Sequence, residues 1–307
     1  MFQNILFATT GSPACDNAAK MAFELAKVHQ ARLTVFHCVG IPSRGYSHIV
    51  RDYRSGLEEE VDHDYQQWVL EELKTTYEKQ LSAYGNCEFE IAVGVPSREI
   101  LRRSRKKDVD AIILGAHTSD EDATGARYRA MAGNTLQKVS KSARCPVIIV
   151  NRPCSTCWSY FSNIVCGVDF SKPSEYAFEF AYQAAREIGA RLHVFHALDL
   201  FALSSSRHPD QNTVNQALQA AEKRIQQQYL SRIADFPMVE MEVWEGVPYV
   251  EILKFAREKQ ADLIVMAHHA RESDESEAAL GSTVEQVLLR SSCPVASVSH
   301  ISRSPSE

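Results

Sequence analysis

Four short stretches in the second half of the chain carry residues suited to holding a ligand with an anionic end. Gly281-Ser282-Thr283 opens a segment, 281 to 291, that reads as a helix. The free N–H groups of a helix start favour negative charge, glycine lets the backbone approach closely, and a hydroxyl adds a donor. Met266 and Ala267 end an apolar run that begins at Leu263, and Ala270 follows in the next loop. Asp169 follows another apolar run, Ile164 to Gly167, and brings a carboxylate. His196 and Ala197 close a third run that begins at Arg191. Each also has a plainer reading. Asp169 can cap the turn before a helix, which aspartate does well, and Gly281 can be a tight helix start.

These residues meet only if the fold brings them together, and an internal repeat shows how. NILFATTGS at residues 4–12 returns as NIVCGVDFS at 163–171, and GNTLQKVSKSARCPVIIV at 133–150 returns as GSTVEQVLLRSSCPVASV at 281–298. A Gly-Val-Pro turn occurs in both halves, ending at Pro96 and Pro248. A repeat of this length means two copies of one fold. Within each copy, short runs rich in Val, Ile and Leu alternate with segments of helical period. Ala18, Ala19, Ala22, Phe23, Leu25 and Ala26 mark one such segment, and Ala177, Phe178, Ala181, Ala184 and Ala185 its counterpart. Ser12 and Ser171 stand where N-caps belong, each with a proline behind it. Strand alternating with helix predicts an α/β fold of two tandem doubly wound, Rossmann-like parallel-sheet domains. The expected bounds are 1–152 and 160–301, joined by a linker at 153–159. Long polar stretches follow each second strand and end in helices over about 57–84 and 212–234. In such sheets ligands sit at the carboxyl ends of the strands where strand order reverses. That rule predicts convergence of the Asp169 turn, the loop from Ala267 and the helix start at Gly281.

Bulk composition excludes several classes. The 307 residues suit two domains, and 33 basic against 39 acidic residues leave a net charge of −6, which argues against a nucleic-acid partner. No apolar run reaches the ~18 residues of a membrane span, and no signal-peptide layout opens the chain, so a cytoplasmic protein with reduced thiols is expected.

At these residues the chain resembles the universal stress protein (Usp) family, over nearly all of both copies. The resemblance implies a Usp-type fold and, in nucleotide-binding members, an Asp after the first strand and a G-x2-G-x9-G-[S/T] pattern after the fourth. Carried onto the second copy, it assigns Asp169 to the nucleoside and His196 and Ala197 to the edge of adenine. Met266, Ala267 and Ala270 then line the loop, and Gly281, Ser282 and Thr283 hold phosphate. Ala267 and Ala270 replace the two glycines, and ten residues separate Ala270 from Gly281 where the pattern has nine. The implied ligand is ATP or ADP, with Mg as companion. The first copy departs further: Thr10 replaces the Asp, Thr118 the second Gly and Asn134 the Ser. Its longer loop holds Asp120, Glu121 and Asp122, which would repel phosphate. The second copy is therefore the expected nucleotide site.

No catalytic constellation stands out: G-x-S-x-G, H-E-x-x-H and a Walker loop are all missing. The resemblance implies a regulatory stress protein with at most slow ATP hydrolysis; the alternatives are a nucleotide-free interaction scaffold or a slow ATPase. His268 and His269 read as solvated loop residues. Cys154-x2-Cys157 supplies half a zinc site at best and reads as a linker feature. No metal site is expected. The basic run from Arg102 to Lys107 reads as the wet face of an amphipathic helix. Val147–Val150 and Val295–Val298 are expected to pair within the chain as a pseudo-dimer, since relatives associate through their last strands, and a further homodimer is compatible with that. Regulatory protein partners are left unidentified.

Overall fold

A computed structural model describes residues 1–42, 49–52, 58–115, 134–150, 161–199, 210–268 and 282–299. The chain divides into two compact units, Met1–Ser159 and Tyr160–Glu307. Each is α/β with a five-stranded parallel sheet.

In the first unit the strands are β1 (Asn4–Thr9), β2 (Arg32–Cys38), β6 (Cys87–Ala92), β7 (Ala111–Gly115) and β8 (Val147–Val150), in the order β8-β7-β1-β2-β6. Helices α1 (Asp16–His29), α2 (His63–Thr76), α3 (Glu78–Ala83), α4 (Pro96–Lys106) and α5 (Asn134–Ser142) connect them. Three further short strands, β3 (Gly40–Pro42), β4 (Ile49–Asp52) and β5 (Glu58–Glu60), pair antiparallel as a separate small sheet. They occupy part of the stretch read from the sequence as irregular and polar. Three or four residues each are too few to show a period.

The second unit repeats the scheme with β9 (Asn163–Gly167), β10 (Arg191–Leu198), β11 (Val239–Glu245), β12 (Leu263–Ala267) and β13 (Val295–Val298), in the order β11-β10-β9-β12-β13. Its helices are α6 (Lys172–Ile188), α7 (Gln211–Gln228), α8 (Pro248–Glu258) and α9 (Ser282–Arg290). In both units the first strand lies at the centre, and chain order reverses on either side of it. Such a reversal opens a crevice at the carboxyl ends of the first and fourth strands.

The physical causes are those the sequence announces. The alanine-rich faces of α1 and α6 are fully buried, from Ala18 to Ala26 and from Ala177 to Ala185. Small side chains let these helices lie close on the sheet. Central strands β1, β7, β9 and β12 are buried along nearly their whole length, as strands covered on both faces must be. Ser171 caps α6 by accepting a hydrogen bond from the Ser174 N–H at 3.2 Å. Ser12 departs from expectation: it makes no such cap, and a single 3-10 turn, Pro13–Cys15, precedes α1. Its hydroxyl is engaged by Thr10 instead, at 2.9 Å.

The long helices expected over 57–84 and 212–234 are each broken, at Tyr77 and Tyr229. Both tyrosines are fully buried and reach beneath the turn after the first strand. Tyr77 Oη lies 2.6 Å from Thr9 Oγ1, and Tyr229 Oη donates to Ser174 Oγ at 3.3 Å. A repeated carboxylate latches the other end of each first strand. Asp110 accepts from the Gln3 and Asn4 N–H groups at 2.6 and 2.8 Å, and Asp262 from those of Ser162 and Asn163 at 2.7 and 3.1 Å. Among the described residues no helix is long and apolar enough to cross a membrane.

The substitution Asp262→Ala removes the acceptor from two strand-initiating amides. We expect it to lower unfolding free energy by about 1–2 kcal/mol, measured as a lower urea midpoint of the full-length chain; an unchanged midpoint would show that the latch is dispensable.

Candidate functional site

The crevice of the second unit is built where β9 stops and its neighbours continue. Register places Met266, Gly167 and Phe195 level across β12, β9 and β10. One more ladder bond, Val168 N–H to the Phe195 carbonyl at 2.8 Å, ends the pairing of β9. Beyond it β10 runs on through His196, Ala197 and Leu198. In this strand the odd-numbered residues face β9, as the bonds of Arg191 and Phe195 show, and the even-numbered ones face β11, as those of Leu192 and Leu198 show. Ala197 therefore directs its N–H and C=O to the side on which β9 has ended. Its side chain is buried, so the main chain is what it presents there.

Asp169 stands exposed at the mouth. Its Oδ1 accepts from the Ser171 N–H at 3.1 Å and from the Ser171 hydroxyl at 2.6 Å. Its own N–H donates to Ser174 Oγ at 3.1 Å. Asp169 is thus a turn cap whose carboxylate also faces solvent, and the two readings of this residue are compatible. The next residue, Phe170, has φ 66°, in the left-handed region. That conformation costs a bulky residue roughly 1–2 kcal/mol. The matching residue of the first unit is Gly11, with φ 73°, where the cost vanishes.

His196 donates from Nδ1 to the Val168 carbonyl at 2.7 Å, and this bond fixes the tautomer that leaves Nε2 as an acceptor. Burial lowers its pKa from the ordinary 6.5, outweighing the Val168 carbonyl and Asp169, which act to raise it. The imidazole is neutral at pH 7. His37 repeats the arrangement with the Thr9 carbonyl at 2.8 Å.

On the far side of the crevice Met266 and Ala267 are buried at the end of β12. Ala267 does not adopt a positive φ, so alanine stands in for glycine there without backbone strain. His268 is 1% exposed, and its N–H donates to the Val298 carbonyl at 3.0 Å. The sequence reading of a solvated histidine is corrected at this position, because β12 continues its ladder one residue past Ala267. Thr283 lies half-buried in the first turn of α9, which begins at Ser282. Ala270, Gly281, His269, Cys154 and Cys157 lie outside the described residues, as do Thr118 and the acidic loop at 120–122 in the first unit. Sheet topology brings together Asp169, in the turn after β9, with His196 and Ala197 of β10 and Met266 and Ala267 of β12.

The first unit offers different chemistry at the same place. Thr10 is tied to the Ser12 hydroxyl and lies 3.5 Å from Cys15 Sγ. Its 3-10 turn leans on the end of β7 so closely that a Cβ on Gly115 would lie 3.3 Å from both the Ala14 carbonyl and Cys15 Sγ. The turn carries no carboxylate. Sequence reasoning missed Phe170, Ser174, Tyr77 and Tyr229 as builders of these turns. The two tyrosines occupy matching positions in the repeat, and that signal could have found them. Burial pushes the thiols of Cys38 and Cys145 up to about 12, so neither is a ready nucleophile. Among the described residues no group of three or more His, Cys, Asp or Glu is placed to hold a metal ion.

Two doubly wound sheets, each with a ligand-type crevice at its strand-order reversal, define a tandem Rossmann-like α/β protein. The universal stress protein family matches residues 1–151 and 161–299, so the chain belongs to that family. Among similar proteins is universal stress protein MJ0531 of Methanocaldococcus jannaschii, 29% identical over 160 residues, or 50% of this chain and 84% of that protein. Universal stress protein YxiE of Bacillus subtilis is 30% identical over 154 residues, 49% of this chain and 99% of its own length. Each relative thus corresponds to about half of this chain, as a tandem repeat requires. A universal stress protein structure from Archaeoglobus fulgidus superposes with a TM-score of 0.64 at 20% identity, covering 96% of this chain and 98% of its own, and supports the fold.

The second unit carries a pH dependence that the first lacks at the matching position. His193 is buried between Asn163 Oδ1, 3.1 Å from Nε2, and Glu240 Oε2, 3.3 Å from Nδ1, where the first unit has Thr34. Burial lowers its pKa as it does that of His196, although Glu240 acts to raise it. Below the ordinary 6.5 the unfolded chain takes up protons that the folded imidazoles refuse, so stability falls as pH drops through that value. Burial opposes ionisation of Glu175 and Glu242, but hydrogen bonds from Lys172 and Arg232, and from Lys259 and Trp244, hold both below 4.5. Their losses therefore begin only near that value. We expect both imidazoles to titrate below 6.5 by NMR and the urea midpoint to fall between pH 7 and about pH 5.5; a midpoint that rises on acidification contradicts this.

Proposed function

We propose that the second unit binds an adenine nucleotide, ATP or ADP, and that the protein acts as a ligand-responsive regulatory protein of the stress-protein type. The observation that carries the reading is the meeting of two features at one strand-order reversal. The carboxylate of Asp169 is exposed beside β9, and the N–H and C=O of Ala197 face the space past the end of β9. A donor–acceptor pair of main-chain groups suits the edge of a purine. A carboxylate that accepts hydrogen bonds suits ribose hydroxyls. Ser282 and Thr283, which follow Gly281 in the sequence, open α9, where free amides suit phosphate. Mg would offset the negative charge of the phosphates. The neutral, closed-in turn of the first unit supports one nucleotide per chain.

Denaturing freshly purified full-length protein should release about one adenine nucleotide per chain, or the stripped protein should take up ATP in calorimetry. Asp169→Ala and Gly281→Asp should each weaken binding by roughly tenfold or more, about 1.4 kcal/mol. Gly133→Asp should leave it unchanged. A chain that carries no nucleotide and ignores millimolar ATP ends this reading in favour of an interaction scaffold. Loss through Gly133→Asp in place of Gly281→Asp would move the site to the first unit.

A further inference from the structure

We propose that Arg224 is a positioning residue of this site: from α7 it locks Phe170 in its left-handed conformation and so fixes the aim of Asp169. The inference rests on the nucleotide reading of the second unit and adds a residue outside the crevice itself. Phe170 is the strained residue of the turn, and it directly follows Asp169. The Arg224 guanidinium lies 4.4 Å from the centroid of its ring. The ring also packs on the imidazole of His196, centroids 4.5 Å apart, and on Tyr229 at 6.2 Å. The Phe170 carbonyl accepts two long hydrogen bonds from the same helix, from Arg224 Nη2 at 3.4 Å and from Gln228 Nε2 at 3.5 Å. Stacking on the side chain and bonding to the carbonyl act on one residue from one arginine. A planar fork does both at once, and an ammonium does not.

The helix that supplies this grip is itself held. Gln228 donates to Glu175 Oε1 at 3.2 Å, and Arg232, just past the helix end, donates to Glu175 Oε2 at 3.2 Å through both terminal nitrogens. Glu175 belongs to the first turn of α6, four residues past the N-cap Ser171 that binds Asp169. Strained turn, helix start and clamp therefore form one connected unit. The first unit provides the contrast: Gly11 needs no lock, and the position matching Arg224 is Glu72. The bulky left-handed residue and the arginine occur together in the second unit and are both replaced in the first.

The test is a double-substitution cycle in the full-length chain, read by ATP affinity and by amide exchange of Ser171, whose N–H donates to Asp169. Arg224→Ala should weaken ATP binding roughly tenfold, the ratio to which the cost of a left-handed bulky residue converts. Phe170→Gly adopts the same backbone without strain, and in that background Arg224→Ala should cost less than about twofold. Arg224→Lys should resemble Arg224→Ala. Ser171 exchange should quicken in Arg224→Ala while exchange in β12 stays as it was, and the effect should vanish in the Phe170→Gly background. Equal losses of affinity in both backgrounds overturn the proposal, since the arginine would then touch the ligand itself. Unchanged affinity and exchange in Arg224→Ala overturn it as well. If the unsubstituted protein binds no ATP, the nucleotide reading fails by itself, and Ser171 exchange still decides whether Arg224 holds the turn.

Discussion

In both halves one hydrogen bond marks the place where the first strand ends. The imidazole of His37 claims the Thr9 carbonyl, and that of His196 claims the Val168 carbonyl. Each bond ties the carbonyl at the end of its first strand to the side chain of the second strand, and the chain turns away beyond it. The second strand runs on, and a crevice opens over the centre of the sheet. Burial keeps the His196 ring neutral, and a neutral ring donates from one nitrogen only. That nitrogen is Nδ1, held on the Val168 carbonyl, so Nε2 is left as an acceptor.

From this shared frame the two units diverge in the groups that follow the bonded carbonyl. Thr10 and Ser12 satisfy each other as neutral hydroxyls, and the chain passes through a 3-10 turn against β7. Asp169 instead draws in both the N–H and the hydroxyl of Ser171, and α6 starts at once. Scaffold contacts away from the crevice hardly change. Lys107 pairs with Glu88 and with Glu90 at 2.8 Å across α4 and β6, and Lys259 pairs with Glu242 at 2.6 Å at the matching place. These pairs are partly exposed, and each contributes little alone. Their repetition shows that the frame is retained while the turn is altered.

Much of this was legible in the sequence, because burial imposes period. The alanine faces of α1 and α6, the Val and Ile runs of the central strands and the Gly-Val-Pro turns were all readable. A parallel sheet with helices on both faces followed from the alternation of strand and helix. What escaped has local causes. The strands β3 to β5 are too short to carry a pattern. Helix breaks at Tyr77 and Tyr229 arise because a tyrosine hydroxyl finds a buried partner under the turn, a tertiary demand that local period does not record. A left-handed Phe170 contradicts propensity and persists because ring, cation and carbonyl contacts outweigh its strain. His268 read as loop because it falls where the resemblance places the phosphate loop, yet it makes one more ladder bond and is buried.

Charge sets how the proposed nucleotide must lie. Without a cation between them, Asp169 and a phosphate are poor neighbours: two unit charges at 4 Å repel by about 4 kcal/mol even at an effective dielectric of 20. The carboxylate and the phosphates must therefore occupy opposite ends of the ligand, with the sugar between them. Only hydroxyl or amide donors can face Asp169, since an ionised carboxylate only accepts. The helix start at Ser282 supplies the opposite polarity, because its amides donate. With the proposed nucleotide between them, an acceptor beyond the end of one strand and donors at the start of one helix set a gradient of polarity. A ligand with hydroxyls at one end and negative charge at the other fits that gradient in only one direction. In the first unit Thr10 can both donate and accept and so imposes no direction.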